Sequence, residues 1–438
     1  MGINQHIKPV TAYRTKDLYI GGCSVTELAA KYGTPLYIID EKSLRDICIE
    51  YKKAFEKYDN IRLTYASKAL CNSAITRIIS QEGFGFDVVS SGEIYTVNNA
   101  AVDMSTVTFN GNNKDEEEIR LALQLNVGRF SVDNFYEAKI LNKLAKEQNK
   151  IVDILLRITP GIECHTHDYI KTGQEDSKFG FDLTQIDKAV KLITTEYKNI
   201  NLKGFHAHIG SQIFEKQPFH DEIEILVKEL AETNNNYGLS LNELNIGGGI
   251  GVTYTMDDKP PSIADFGNAI ITALNQACGK YKIQPPIVYL EPGRSIISTA
   301  GVTLYKIGSS KQVPNGKKYI AVDGGMADNP RPSMYKAKYC AEIANDTTGR
   351  SLEYVTLAGR FCESGDILIE NIELPSPQAG DILCVYNTGA YNYSMASNYN
   401  GVRKPAMVLV NNSQSDIIVD RESLKDLIRL DKIPDRLK

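Results

Sequence analysis

Residues 106–157 read TVTFNGNNKDEEEIRLALQLNVGRFSVDNFYEAKILNKLAKEQNKIVDILLR. The stretch alternates twice between two textures. TVTFNG, GRFSVD and VDILLR are short runs of apolar, β-branched and aromatic residues, as strands buried on both faces require. Between them lie segments with helical spacing. DEEEIRLALQ (115–124) opens with acids, which suit the positive end of a helix. NFYEAKILNKLAKEQ (134–148) begins at an asparagine suited to capping and repeats its apolar residues at helical intervals.

The same rhythm continues on both sides. Upstream come IRLTYASKA from Ile61 and FGFDVVS from Phe84; downstream come LKGFHAHI from Leu202, LNELNIGGG from Leu241 and PIVYLEPGR from Pro286. Residues 183–194, 220–232 and 263–281 read as further helices. Eight β-α alternations over ~230 residues match a (β/α)8 TIM barrel. A doubly wound open sheet is the rival, and the count of eight favours the barrel. After Arg294 the texture changes to TLYKIG, KKYIAVDGG, LEYVTLAG, DILIENIEL, DILCVYNTG, AMVLV and DIIVD, broken by Gly, Pro and Asn turns. This predicts a mostly antiparallel β domain, to which LYIGG near Leu18 is expected to add a strand. The expected division is a barrel over 36–294, and a β domain from 1–35 plus 295–438.

The whole chain has 438 residues, 49 Lys plus Arg against 54 Asp plus Glu, and a formal charge of −5. A weakly acidic chain with no basic block is a poor binder of nucleic acid or anionic membrane. No apolar run is long enough to span a bilayer, and MGINQHIKPVTAYRTKD lacks the apolar core of a secretory signal. Eight cysteines without a CxxC pair do not form a disulfide framework, so reduced thiols and a cytoplasmic setting are expected.

Active sites of barrels gather at the carboxyl ends of the strands. Lys68 ends the first strand, Asp87 and Ser90 the second, Asn110 the third and Arg157 the fifth. His206 and His208 end the sixth, Gly247, Gly248 and Gly249 the seventh, and Glu291 with Arg294 the eighth. Lys68 is either an exposed strand-end lysine or a desolvated nucleophile toward an aldehyde. The three glycines form either a plain tight loop or a cradle whose backbone N–H groups approach an anion. No GxxxxGK[ST] accompanies them, so a nucleotide triphosphate is not indicated, and a GxGxxG reading is weak. The pairs His165/His167 and His206/His208 raise a metal site, but no HExxH or spaced acidic set supports one, and no metal is expected. His208 followed by Gly210 and Ser211 reads better as a flat face beside a hydroxyl. Glu291 and Arg294 form either a turn ion pair or an acid placed against a pyridine nitrogen. Cys362 is either a buried thiol at a turn or a proton donor.

YASKA, FDVVSSGE, HTHDYIKTG with SKFG, HAHIGSQ, NIGGGIG, EPGR, RPSMY, CESGD and GAY occur in this order from Tyr65 to Tyr391. Together they resemble the fold-type III pyridoxal-phosphate decarboxylases, and HTHDYIKTG…SKFG and CESGD resemble the diaminopimelate branch more than the ornithine branch. That family combines a (β/α)8 barrel with a β domain. The resemblance implies pyridoxal 5'-phosphate held covalently by Lys68 and stacked on His208. Asp87, Arg157, Ser211, Gly247, Gly248, Gly249, Pro292, Gly293, Arg294 and Tyr391 join its binding set, with Glu291 on the ring nitrogen. It implies that Arg294, Arg331, Tyr335 and Tyr391 bind substrate, that Glu363 meets the far ammonium, and that Cys362 donates a proton. Cys362 and Glu363 would come from the second chain of a homodimer.

The implied reaction is decarboxylation of meso-diaminopimelate to L-lysine, the last step of lysine biosynthesis. The alternatives are an ornithine, lysine or arginine decarboxylase of the same fold, which would not need Arg331, and a non-catalytic pyridoxal-phosphate carrier, which would not need Lys68, Glu291 and Cys362 intact.

Overall fold

The computed structural model describes residues 12–162, 177–314 and 316–438. It divides into two units. The first to consider comprises Arg45–Val252 and Lys259–Ile296. Its strands are β1 (Ile61–Ala66), β2 (Gly85–Val88), β3 (Val107–Phe109), β4 (Arg129–Val132), β5 (Val152–Thr159), β6 (Ile200–His206), β7 (Glu243–Asn245) and β8 (Ile287–Leu290). All eight expected runs are strands. Each pairs in parallel with its neighbours, β8 pairs with β1, and β4 pairs with β5, so the ring closes as a barrel. Closure removes both sheet edges, which an open sheet would leave unpaired.

Along the strands, Tyr65, Phe86, Phe109, Phe130 and Phe205 are at most 1% exposed. Burying side chains of this size contributes roughly 1.5–3 kcal/mol each. Several of the helices between strands begin where the sequence supplies caps. Asp115 and Glu118 form a reciprocal capping box at Glu116–Gln124, and Asn134 accepts the Glu137 N–H at the start of Phe135–Glu147. Ser262 caps Ile263–Tyr281 in the same way. Gln217–Tyr237 is longer than its expected 220–232 and stops at Gly238 in the left-handed conformation.

The other unit comprises Met1–Leu44, Thr253–Asp258 and Ile297–Lys438. Its main sheet is mostly antiparallel. The twelve-residue strand Gly301–Gln312 organises it, pairing with Leu36–Asp40 and Ile382–Tyr386 over its first half and with Lys318–Val322 over its second. Leu352–Ala358 and Ile367–Pro375 extend one side, and Ala406–Asn411 and Gln414–Val419 the other. Leu36, Ile38, Val302, Leu304, Tyr386 and Val408 form its core with Leu18 and Ile20.

One expectation is corrected here and another holds. The expected barrel begins at residue 36, yet Leu36–Asp40 lies between Gly301–Gln312 and Ala406–Asn411. LYIID is buried at every position, and such a run suits either sheet. Leu18–Ile20 forms a strand of this unit, as expected, within a three-stranded sheet with Tyr13–Arg14 and Cys23–Ser24. The turn from Leu18–Ile20 into Cys23–Ser24 is tight, and Gly21 and Gly22 within it both take positive φ.

Candidate active site

The carboxyl ends of the barrel strands carry a connected set of polar side chains. Lys68 follows β1 in a short 3-10 turn, and its Nζ lies 3.0 Å from Oδ2 of Asp87 on β2. Asp87 is fully buried, while the Lys68 side chain stays 39% exposed. Asn110, just past β3, donates from Nδ2 to Asp87 Oδ1 at 2.5 Å and to Glu291 Oε1 at 3.2 Å. Asn245 at the end of β7 donates to the same Glu291 oxygen at 2.6 Å. Burial pushes the Glu291 carboxyl up to about 8, with the Asp87 charge acting in the same direction.

The histidines are placed differently from one another. His206, the last residue of β6, has Nδ1 2.6 Å from Ser131 Oγ and Nε2 3.7 Å from Glu291 Oε2. His208 accepts the Gly248 N–H at Nδ1, 3.2 Å away, so its proton sits on Nε2. Both rings are held well below the usual histidine range, chiefly by burial. Two neutral rings and a buried carboxyl are the result. Arg157 at the end of β5 lies 3.8 Å from Asp133 and over the Phe179 ring, 4.2 Å from its centroid.

Gly247, Gly248 and Gly249, shortly after β7, have no room for side chains. A Cβ on Gly247 would come within 2.6 Å of His208 Nδ1, one on Gly248 within 2.2 Å of the Glu291 carbonyl, and one on Gly249 within 2.5 Å of the Gly210 carbonyl. Gly247 and Gly249 also take positive φ. The Arg294 guanidinium, just beyond β8, donates to Ser211 Oγ from Nε at 3.2 Å and Nη2 at 3.0 Å. Pro292 lends its carbonyl to the Ala66 N–H, and Gly293 packs against Ala66. These side chains fit pyridoxal phosphate. A lysine amine suits its aldehyde, a glycine cradle beside Ser211 and Arg294 suits its phosphate, and an acid suits its ring nitrogen.

The remaining predicted residues lie in the β unit. Arg331 opens the short helix Arg331–Tyr335 and is 8% exposed. Its Nη1 donates to the Tyr339 hydroxyl at 2.7 Å, and its guanidinium lies 5.0 Å from the Tyr254 ring centroid. Among the described residues no carboxylate pairs with it. Tyr335 ends that helix, half-buried. Cys362 is exposed, and its backbone N–H donates to Asn400 Oδ1. Glu363 accepts from the Tyr399 hydroxyl at 2.5 Å. Asp366 anchors this loop by accepting the N–H groups of Met326 and Phe361. Tyr391 is half-buried with φ 59°.

Asn245, Ser131, Tyr254 and Tyr339 were not singled out from sequence. Asn245 alone carries a signal, as the strand-end residue two positions before the three glycines. The pair His165/His167 and most of HTHDYIKTG lie outside the described residues. Among the described residues no group of three His, Cys, Asp or Glu could hold a metal, and no helix is long and apolar enough to cross a membrane.

Comparison with known proteins agrees with this geometry. The family described as pyridoxal-dependent decarboxylase, pyridoxal binding domain, matches residues 42–298. Diaminopimelate decarboxylase from Synechocystis sp. is 46% identical, over 99% of this chain and 94% of its own. The Bacillus subtilis enzyme of that name is also 46% identical, over 94% and 95%. The crystal structure of diaminopimelate decarboxylase from M. jannaschii in complex with L-lysine superposes with a TM-score of 0.92 at 35% identity, over 98% of this chain and 99% of its own. With a barrel that closes, a lysine and a glycine cradle at its mouth, and relatives matched along nearly their whole length, the chain belongs to the diaminopimelate decarboxylase family of pyridoxal-dependent decarboxylases.

Proposed function

We infer that the protein decarboxylates meso-2,6-diaminopimelate to L-lysine and carbon dioxide with pyridoxal 5'-phosphate. The observation that carries the substrate assignment is Arg331, a buried guanidinium with no carboxylate partner among the described residues. Burying an unpaired cation is costly, and the Tyr254 and Tyr339 rings offset only part of that cost. A substrate with a second carboxylate completes the pairing, whereas ornithine and lysine bring none.

When bound, pyridoxal phosphate supplies the electron sink for the pair left by the departing carboxylate. Lys68 holds its aldehyde, and Asp87 keeps the amine oriented. The backbone N–H groups of Gly247, Gly248 and Gly249, with Ser211, Arg294 and Tyr391, hold the phosphate. His208 presents its flat face to the ring. Glu291 has both amide bonds on Oε1, so Oε2 is the oxygen left to meet a ring N–H. Arg157, near Asp133 and Glu291, balances the buried acids. Arg331, Arg294 and Tyr335 grip the far carboxylate, and Glu363 takes the far ammonium. Cys362 then delivers a proton from Sγ to the carbon that lost its carboxylate.

Cys362 and Glu363 act in the site of a second copy of the chain, making a homodimer with shared sites. The setting is cytoplasmic, consistent with free thiols at all seven described cysteines. The test is to supply the cofactor-loaded protein with meso-diaminopimelate, lysine and ornithine separately and to measure carbon dioxide. Release from meso-diaminopimelate alone is expected. Release from ornithine or lysine, with none from meso-diaminopimelate, overturns the assignment.

A further inference from the structure

The opposite end of the barrel holds a cavity of about 620 Å³, lined by the amino-terminal ends of β1 to β4 and by β8. Nothing in the decarboxylation chemistry uses it. Its size falls in the range of pockets that take a small organic molecule. Phe55, Tyr58 and Phe84 give it buried aromatic walls.

Three polar groups face it together. Arg129 spends Nε and one Nη2 hydrogen on Glu243, at 2.5 and 2.6 Å, and lies over the Tyr289 ring, 4.8 Å from its centroid. That leaves Nη1 without a hydrogen bond among the described residues. Tyr289 has a buried ring, and its hydroxyl likewise makes no hydrogen bond to them. Arg62 uses only one bond from Nη1, to the neighbouring Ile61 carbonyl. A barrel floor closed by apolar packing would hold none of these. Spare guanidinium and phenol donors beside aromatic walls match a flat apolar body that carries one acidic group. The exposed acids Glu56 and Asp59 on the same cavity count against polyanions such as nucleotides.

We propose that this cavity is a second ligand site, which binds flat aromatic monoanions, carboxylates or sulfonates, through Arg62, Arg129 and Tyr289. Its occupant touches β1 and β8, the strands whose other ends lead to Lys68 and Glu291.

The chain contains no tryptophan, so Glu56→Trp on the exposed rim introduces the sole indole. The cofactor-loaded variant is titrated with 8-anilino-1-naphthalenesulfonate while indole quenching is followed. Saturable quenching at one probe per chain is expected, weakened at least ~10-fold when Arg62→Ala is added, as the loss of a charge-assisted bond implies. Thr106→Tyr, which fills the cavity from another wall, should weaken binding as well. Retained visible absorbance of the bound cofactor reports that each variant is folded. Quenching that does not saturate, or saturable binding unmoved by both substitutions, overturns the proposal.

Discussion

Asn245 donates to Oε1 of Glu291 across 2.6 Å, with both residues buried. Burial and the Asp87 charge push the Glu291 carboxyl up, and the Lys68 charge, then the Asn245 amide, work against them. A neutral side chain therefore helps a nearby cation keep a buried acid within reach of ionisation.

Asn245→Leu should raise the pKa of Glu291 further and lower kcat/KM at neutral pH by about 10-fold or more, because a lost bond to a charged group is worth roughly 1.5–3 kcal/mol. The loss should shrink as pH rises and Glu291 ionises. The measurement is the pH profile of kcat/KM, whose acid limb should move upward. A profile displaced equally at every pH would mean that Asn245 acts on something other than Glu291.

Glu222 in helix Gln217–Tyr237 is fully buried, and among the described residues neither carboxyl oxygen has a hydrogen-bond partner. Burial, then the Glu291 charge, raises its pKa well above the usual range. The folded chain therefore keeps a proton that the unfolded chain loses above about pH 4.3. Between those two pKa values stability falls as pH rises, by up to about 1.4 kcal/mol per pH unit. Glu222→Gln removes that slope. Its stability relative to the parent, from urea unfolding, should increase from pH 5 to pH 8 by at least about 1 kcal/mol. A constant difference would place the native carboxyl in its ordinary range.

Lys114 and Glu137 form a buried ion pair at 2.7 Å, with side chains 1% and 3% exposed. Lys114 also donates to the carbonyls of Gly111 and Ser131, and Glu137 accepts the Asp133 N–H. The pair thus ties the loop after β3 to β4 and to the helix that follows. Lys114→Met leaves a buried acid unmatched and should cost about 3–5 kcal/mol in urea unfolding. The double variant Lys114→Met with Glu137→Gln should recover part of that loss. Additive losses would show that the two side chains are not energetically coupled.

Sharing of the site between chains has a numerical signature. Lys68→Ala and Cys362→Ala should each be nearly inactive. Refolded together in equal amounts, half of the dimers are mixed, and each mixed dimer has one intact site of two. Activity should recover to about a quarter of the parent by this symmetry counting. If mixed dimers are present and no activity returns, each chain uses its own Cys362.

The barrel was legible in the sequence because the strand runs are rich in apolar residues and alternate with helical segments, several of which open on a capping side chain. Lys68, the three glycines and Glu291 were legible because strand ends are where a barrel concentrates its chemistry. The amide contacts on Glu291 were not, because Asn110 and Asn245 lie 181 and 46 residues away in the chain and meet it only when the ring closes. The Arg129–Glu243 pair spans 114 residues and is equally silent in sequence. Leu36–Asp40 failed for a different reason. Periodicity reports how deeply a run is buried, and it carries no information about which sheet buries it.

That strand also sets an order of events during synthesis. Leu36–Asp40 emerges from the ribosome early, yet both of its neighbours, Gly301–Gln312 and Ala406–Asn411, are encoded far downstream. At about 5–20 residues per second it waits on the order of tens of seconds with both hydrogen-bonding edges open. The intervening barrel contains all of its own strands and can close first. Nascent chains should therefore be most prone to aggregate, and most dependent on chaperones, after the barrel is complete and before the last quarter of the polypeptide has left the exit tunnel.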